Sequence, residues 1–209
     1  MLNKATMLAL GAGDRLAAQL AFLGEVDKLK LVLRRSLLMD GSRCENSAEH
    51  SWHIALAAWM LAEAADEPVD VAHVVRLLLI HDIVEIDAGD TFAYDVTGRN
   101  DQASREAAAA ERLFGLLPAD QAAHMHELWR EFEARATPEA RFAHALDRLM
   151  PVLHNFATAG GSWRANGIHR GMVVQRVGAI ADGSSALWAV IERLLDEAVV
   201  RGYLAPAAD

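Results

Sequence analysis

The sequence has one cysteine, Cys44, and no long uninterrupted apolar run. A lone cysteine cannot form a disulfide bond within the chain. The apolar runs are far shorter than the roughly 20 residues that a membrane-spanning helix requires. The first ten residues also lack a basic start, a long apolar stretch and a small-residue cleavage site, so we expect no export. These absences predict a cytoplasmic protein without a membrane partner.

Basic residues are also scarce, because 20 Lys and Arg stand against 29 Asp and Glu, which gives a net charge of -9. Binding of a nucleic-acid polymer usually needs a concentrated basic surface, so this composition argues against such a partner. A small anionic ligand needs only a local cluster of Lys or Arg. The chain length of 209 residues, 53% of them hydrophobic, is typical of one globular domain with a substantial core.

Alternation of β-branched residues is scarce, whereas Ala and Leu are abundant and apolar residues recur every third or fourth position. This pattern predicts an all-α fold, a single-domain helical bundle. Turn residues at 40–42 and 160–162 separate helices, and Ser47 is a predicted N-cap. The predicted helices run from about Asp14 to Leu33, from Ser47, from Asp70, from Asp101 to Leu116, from Pro118 to Arg135, from Pro138 to Ala157 and from Met172 to Val200.

The most informative feature is the adjacent pair His81 and Asp82, which lies within the apolar helical run 80–86. Burial of two ionisable groups in hydrocarbon is costly unless something compensates them, and a metal ion would do so. Further candidate ligands, His50 and Asp147, lie on other predicted helices. Together they offer two imidazoles and two carboxylates, which leaves room for water in an octahedral shell. We therefore predict that these four residues bind a divalent ion of Mn, Co, Mg, Zn or Fe.

A divalent ion at this position would lower the pKa of bound water and polarise a phosphoryl oxygen, the effects that hydrolysis of a phosphate ester needs. Glu85 lies one helical turn beyond His81 and could move the proton. Three arginines precede His50, and the pattern favours phosphate binding over ordinary solvated charges. They are Arg34, Arg35 and Arg43.

Several histidines lie at helical spacing from the candidate ligands, and we interpret them as packing or supporting residues. They are His53, His144 and His154. Taken alone, a His-Asp pair is also compatible with hydrogen-bonded helix residues that hold no metal. The apolar flanks favour the metal.

The pattern of His50, His81–Asp82 and Asp147 resembles the H…HD…D pattern of the HD-domain metal-dependent phosphohydrolases. Segments 45–51, 81–86 and 88–91 are similar to the branch that contains the 5'-deoxynucleotidases. The similarity covers roughly residues 20–156. It implies a single HD domain over 1–209, with a motif-bearing core at about 20–157 and a C-terminal helix at about 172–200.

The resemblance also assigns roles to individual residues. It implies that Glu85 assists the attacking water and that Asp90 is associated with the substrate and the catalytic site. An arginine upstream of the first histidine would hold phosphate, a position that Arg43 fits and Arg35 fits more loosely. The implied protein is a homodimeric 5'-nucleotidase that releases phosphate from (deoxy)nucleoside 5'-monophosphates by attack of metal-bound water.

One segment departs from the family pattern. Deoxynucleotidases of this branch carry an Arg-x-Gly-Trp-like segment before the first ligand, whereas residues 34–39 here contain no tryptophan. This part of the family site helps to discriminate the sugar, so the sequence leaves the choice between deoxyribose and ribose open.

Two alternative functions stay open. One is another hydrolase of small phosphoesters or an enzyme of the wider HD group. Within that group a phosphodiesterase or a di-iron oxygenase would need further histidines, and His124 and His126 are the available pair. On a helix these two point to different faces, which disfavours a joint site. A non-catalytic, metal-stabilised helical binding protein is the other alternative. Glu85 argues against it, because a purely structural site has no use for that carboxylate.

Overall fold

The computed structural model describes residues 2–95, 98 and 100–207. Within these residues the chain is mostly helical, which confirms the predicted fold class apart from one small two-stranded sheet. Short 3-10 segments cover Asp27–Leu31, Ala62–Ala64, His81–Val84 and Gly178–Asp182. The helices are α1 (Lys4–Ala9), α2 (Asp14–Val26), α3 (Ser47–Leu61), α4 (Val71–Ile80), α5 (Glu85–Ala88), α6 (Gln102–Phe114), α7 (Ala119–Ala134), α8 (Pro138–Ala157), α9 (Gly161–Ala165), α10 (Arg170–Val177) and α11 (Ser185–Val200).

The sheet lies where the sequence analysis extended the first helix to Leu33. That extension is wrong, because α2 ends earlier and β1 (Leu33–Leu37) pairs antiparallel with β2 (Cys44–Asn46). Between the strands Gly41 adopts a φ of +74°, and the Asp40 carboxylate accepts a hydrogen bond from the amide of Ser42. This turn chemistry outweighs the helical spacing of the leucines. The hairpin carries Arg34 on β1 toward the interior.

Helix α3 begins with a capping box on Asn46, so the predicted N-cap Ser47 is the first helical residue instead. The Asn46 side chain accepts a hydrogen bond from the Glu49 amide, and the Glu49 carboxylate accepts one from the Asn46 amide. Both free amides at the helix start are thereby satisfied. Because Asn46 serves as the cap, the Ser47 hydroxyl is available for a contact elsewhere.

Helix α4 lies at the centre of the core, packed against α3, α7 and α8. Its buried face presents Val74, Leu77 and Leu78, all fully buried. The face meets apolar side chains of the neighbouring helices, including Ile54 of α3 and Leu146 of α8. The 3-10 turn His81–Val84 follows directly, so His81 and Asp82 lie at the end of a helix that is packed on several sides.

The single C-terminal helix predicted over 172–200 is also wrong, because α10 and α11 occupy this interval with a 3-10 segment between them. At Gly183 the chain passes so close to α8 that a Cβ atom would lie 2.5 Å from the Arg141 carbonyl oxygen. The Ser184 hydroxyl then caps α11 by accepting a hydrogen bond from the Leu187 amide. A close approach that only glycine permits and a new N-cap therefore end one helix and start the next.

Among the described residues, none of the helices combines the length and the apolar character that crossing a bilayer requires.

The core predicts a sharp contrast between two leucines of α4. Leu77 is 0% exposed, whereas Leu79 is 48% exposed. We expect Leu77→Ala to lower the free energy of unfolding by about 2–5 kcal/mol, because it removes buried methyl groups and leaves a cavity. Leu79→Ala, the matched control, should change it by no more than about 0.5 kcal/mol. Urea unfolding followed by circular dichroism measures both, and equal losses would contradict this packing.

Candidate active site

The four predicted metal ligands converge from three separate parts of the chain. His50 lies in the first turn of α3, His81 and Asp82 lie in the 3-10 turn after α4, and Asp147 lies in the middle of α8. Asp147 Oδ1 is 3.0 Å from His50 Nε2 and 3.8 Å from His81 Nε2. Asp82 Oδ1 is 3.0 Å from His81 Nε2. One ligand atom each from His50, His81 and Asp147 lies within 4.8 Å of the others.

A hydrogen bond to the backbone determines which nitrogen of His81 faces the cluster. His81 Nδ1 lies 2.8 Å from the carbonyl oxygen of Leu78 and donates to it. This hydrogen bond fixes the ring with Nε2 facing the carboxylates, the orientation in which Nε2 could coordinate an ion. Nε2 is buried and has no hydrogen bond of acceptable geometry within the described part of the chain. Two imidazoles, two carboxylates and an unsatisfied buried nitrogen fit a divalent ion of the first transition row.

Arg34 supplies the positive charge of the cluster. Its side chain is only 13% exposed, and Nη1 donates a 2.8 Å hydrogen bond to Asp82 Oδ2. Nη2 lies 3.9 Å from Asp147 Oδ1, and Nε lies 3.9 Å from Glu45 Oε2. Burial acts to lower the pKa of Arg34, but the surrounding carboxylates, Asp82 first, raise it above its usual value. Arg34 is therefore a permanent cation among buried acids.

Glu85 occupies the position expected for a proton-transfer group. The Ser47 hydroxyl donates a 2.6 Å hydrogen bond to Glu85 Oε2, which holds the carboxyl group at the start of α5. Burial and the nearby charge of Asp82 raise the pKa of Glu85 well above its usual range. A buried carboxyl group held in this way beside the ligand cluster is placed to exchange a proton with a group in the cavity.

Asp90 follows a turn that only glycine adopts readily, since Gly89 has a φ of +75°. Burial raises the pKa of Asp90 above its usual value, although the charge of Arg34 opposes the shift. Asp90 lines the same cavity as Glu85 and Asp82, so the structure brings both predicted catalytic carboxyl groups to the metal-ligand cluster.

The cavity beside the cluster has a volume of about 350 Å³, which suits a small organic ligand. The segment beyond Gly89 forms one wall and contributes Phe92 and Tyr94, whose rings meet edge to face. The other walls come from β1, α6, α7, α8, α9 and α10. They present side chains that the sequence analysis did not select: Glu106, Glu133, Arg135, Arg148, Asn155, Ser162, Trp163 and Arg176.

The two arginines predicted to bind phosphate have different surroundings. Arg35 lines the cavity. Arg43 is half-exposed and donates two hydrogen bonds to the Glu49 carboxylate, at 2.9 and 2.6 Å. It does not line the cavity, so the structure places Arg43 outside the predicted phosphate site. Its place beside the metal-ligand cluster is taken by Arg34.

Several of the cavity residues that sequence reasoning missed lie beyond the last proposed metal ligand. Arg148, Asn155 and Trp163 follow it on α8 and α9, and no local motif distinguishes Asn155 or Trp163. Arg148 donates a 2.7 Å hydrogen bond to the carbonyl oxygen of Arg176, which joins α8 to α10. Only the tertiary packing of these helices shows that the side chains share a cavity. The position of Arg148 directly after Asp147 is the one available sequence signal.

Comparison with known proteins gives a family match. Residues 26–188 match the family model described as HD domain. The 5'-deoxynucleotidase HDDC2 of Bos taurus is 33% identical over 150 residues, which cover 71% of this chain and 70% of the relative. The 5'-deoxynucleotidase HDDC2 of Homo sapiens is 30% identical over 143 residues, which cover 68% and 69%.

Solved structures show the same fold. The crystal structure of a predicted metal-dependent phosphohydrolase from Magnetospirillum magnetotacticum MS-1 is 59% identical, with a TM-score of 0.88. The match covers 92% of this chain and 96% of that one. The PH0347 protein from Pyrococcus horikoshii OT3 has a TM-score of 0.57 at 21% identity, over 86% and 98% of the two chains. This second likeness concerns the fold alone.

The burial of Arg34 predicts a contrast between neighbouring arginines of β1. We expect Arg34→Met to lower the unfolding free energy of chelator-treated protein by about 3–5 kcal/mol, because the change leaves the buried Asp82 carboxylate without its partner. Arg35→Met, the matched control, alters an exposed side chain and should change stability by no more than about 0.5 kcal/mol. Chemical denaturation measures both. Equal effects would show that Arg34 does not compensate the buried acids.

Proposed function

The chain belongs to the HD-domain family, and we propose that it is a metal-dependent phosphohydrolase that releases phosphate from nucleoside 5'-monophosphates. The observation that carries the proposal is that His81, Asp82 and Asp147 line one cavity with Glu85 and Arg34, while His50 lies behind Asp147 at 3.0 Å. The names of the curated relatives, 5'-deoxynucleotidases, support deoxynucleotides as the first substrates to test.

In this proposal His50, His81, Asp82 and Asp147 hold one divalent ion. The unsatisfied nitrogen of His81 supports this assignment, since a bound ion would satisfy it. When bound, the ion supplies Lewis-acid polarisation of a phosphoryl oxygen and makes water more acidic. The ion must be identified by experiment, because mixed imidazole and carboxylate sites accept several divalent metals.

Glu85 accepts the proton of the attacking water. The hydrogen bond from Ser47 keeps the carboxyl group oriented. Asp90, which lines the same cavity, is our candidate for the acid that protonates the leaving nucleoside oxygen. The positions of these two carboxyl groups on one cavity allow them to divide the roles of base and acid.

The arginines provide the charge that phosphate needs. The carboxylates of the cluster would repel a phosphate dianion, and Arg34 offsets this repulsion from its buried position against Asp82. Arg35 lies on the exposed side of β1 and lines the cavity, where it can contact a phosphate that enters from solvent. We assign phosphate binding to Arg34 and Arg35.

The far part of the cavity suits a nucleoside. Phe92, Tyr94 and Trp163 offer aromatic surface, and Asn155 and Ser162 offer polar groups that can hydrogen-bond a sugar or a base. Asn155 Oδ1 accepts hydrogen bonds from the Ser162 hydroxyl and the Trp163 amide, so its position is well defined.

Cytoplasmic location and homodimer assembly stay predictions of the sequence.

The proposal predicts metal-dependent phosphate release. Protein stripped with a chelator should be inactive and regain activity with Mn²⁺, Co²⁺, Mg²⁺ or Zn²⁺, assayed on matched ribo- and deoxyribonucleoside 5'-monophosphates. Asp82→Ala should reduce release to background, because it removes one metal ligand and the partner of Arg34. Asp27→Ala, which changes an exposed aspartate that does not line the cavity, is the control. Metal-loaded protein that releases no phosphate from any nucleotide would overturn the nucleotidase assignment, and phosphodiesters and other phosphomonoesters would be tested next.

A separate prediction concerns Glu85. We expect Glu85→Gln to lower kcat by about 10²–10⁴-fold, the usual contribution of a positioned proton-transfer group. Metal content should be unchanged, because Glu85 is not a proposed ligand. Glu127→Gln, on the exposed surface of α7, is the matched control and should retain activity. Phosphate-release kinetics and elemental analysis provide the two readouts. Unchanged turnover in Glu85→Gln would remove Glu85 from the mechanism.

A further inference from the structure

A second group of potential metal ligands lies on the other side of His50. It consists of Glu45 on β2, His53 on α3 and His154 on α8, and one ligand atom from each lies within 4.8 Å of the others. None of these residues lines the cavity of the proposed active site. We propose that Glu45, His53 and His154 form a second site for a divalent transition metal such as Zn²⁺ or Co²⁺.

Unsatisfied buried atoms carry this proposal. Glu45 is 1% exposed and His154 is 2% exposed. Glu45 Oε2 and His154 Nδ1 lie 3.7 Å apart, and neither has a hydrogen-bond partner among the described residues. Glu45 Oε2 also lies 3.5 Å from His50 Nδ1, which likewise has no hydrogen-bond partner among the described residues. Buried polar atoms in native proteins are normally paired, so these unsatisfied atoms around Glu45 indicate a missing group. A cation placed between a carboxylate oxygen and an imidazole nitrogen would satisfy both.

The distances fit a metal better than a direct hydrogen bond. A separation of 3.7 Å exceeds the range of N–H···O hydrogen bonds. Two ligands that each lie about 2.0–2.1 Å from a tetrahedral zinc ion are separated by about 3.4 Å, so small side-chain movements would complete the site. The imidazoles of His53 and His154 lie side by side, with ring centroids 5.9 Å apart. This arrangement allows both rings to reach one ion.

The exposure of the three ligands suggests how an ion would enter. His53 is only partly buried, whereas Glu45 and His154 are enclosed. An ion can therefore bind His53 first and then exchange water for the two inner ligands. Three protein ligands leave one coordination position of a tetrahedral ion for water.

Glu45 also connects this second site to the first. Its Oε2 atom lies 3.5 Å from His50 Nδ1, while His50 Nε2 faces Asp147 in the proposed active site. A cation bound to Glu45 would compete for the carboxylate that otherwise supports His50 and Arg34. Occupancy of the second site should therefore alter metal affinity at the first.

The test is a metal titration of the full chain without substrate. Metal-stripped wild type is titrated with Co²⁺, and bound metal is measured by equilibrium dialysis with elemental analysis and by visible absorption. We expect wild type to bind one ion more per chain than His53→Ala and His154→Gln. The matched control is His124→Ala, which removes an exposed histidine outside both groups and should bind as wild type does.

Asp147→Asn separates this proposal from the proposed function. This variant should lose the ion of the first site and keep the ion of the second, so a failure of either site can be recognised without an activity assay. His53 is partly exposed, and its substitution decides the matter even if the buried His154 variant does not fold. Equal Co²⁺ stoichiometry and equal spectra for wild type and His53→Ala would overturn the second site.

Discussion

The structure depends on the mutual compensation of ionisable groups that are buried in an apolar interior. Asp82 lies between His81 and Arg34, and Asp147 lies between His50 and His81. Without these partners each carboxylate would pay a desolvation cost that a marginally stable fold could not absorb. The compensation is incomplete, however, because an inward-facing nitrogen of His81 has no hydrogen-bond partner within the described residues. A buried cluster of carboxylates and imidazoles that contains an unsatisfied nitrogen is suited to hold a cation.

Three local features of the backbone bring this cluster together. The β1–β2 hairpin carries Arg34 inward, and the capping box of α3 leaves the Ser47 hydroxyl available for Glu85. At the end of α4 the backbone tightens into a 3-10 turn, where His81 donates to the carbonyl oxygen of Leu78. The 3-10 turn interrupts the regular helix, but it allows the consecutive residues His81 and Asp82 to contact the same ligand cluster. The same α4 packs its leucines into the core, so rigidity at the site derives from apolar packing.

The sequence was most informative where chemistry and local pattern coincide. Helical spacing predicted the mostly helical fold, and the His-Asp pair in an apolar run identified residues that the structure brings together. The hairpin was missed because the helical stripe that ends at Leu29 was extended to Leu33, although Leu29, Leu31 and Leu33 recur at every second residue, the spacing of a strand. Proximity to His50 in the sequence does not show which arginine reaches the cluster, because Arg34 points inward from β1 whereas Arg43 lies exposed just before β2. The cavity wall formed by α8, α9 and α10 has no local signature, because its residues meet only through tertiary packing.

His50 lies between the two groups of candidate ligands and contacts a carboxylate of each. Its Nε2 atom faces Asp147 at 3.0 Å, and its Nδ1 atom lies 3.5 Å from Glu45. The imidazole of His50 thus lies between two carboxylates. When the charge beside one of its nitrogens changes, the interaction at the other nitrogen can change as well. His53 lies one turn farther along α3, so the same helix face that presents His50 to the active site presents His53 to Glu45 and His154. Each group of ligands therefore has one histidine on α3, and a cation bound in either group would act on the other through the contact of His50 with Glu45.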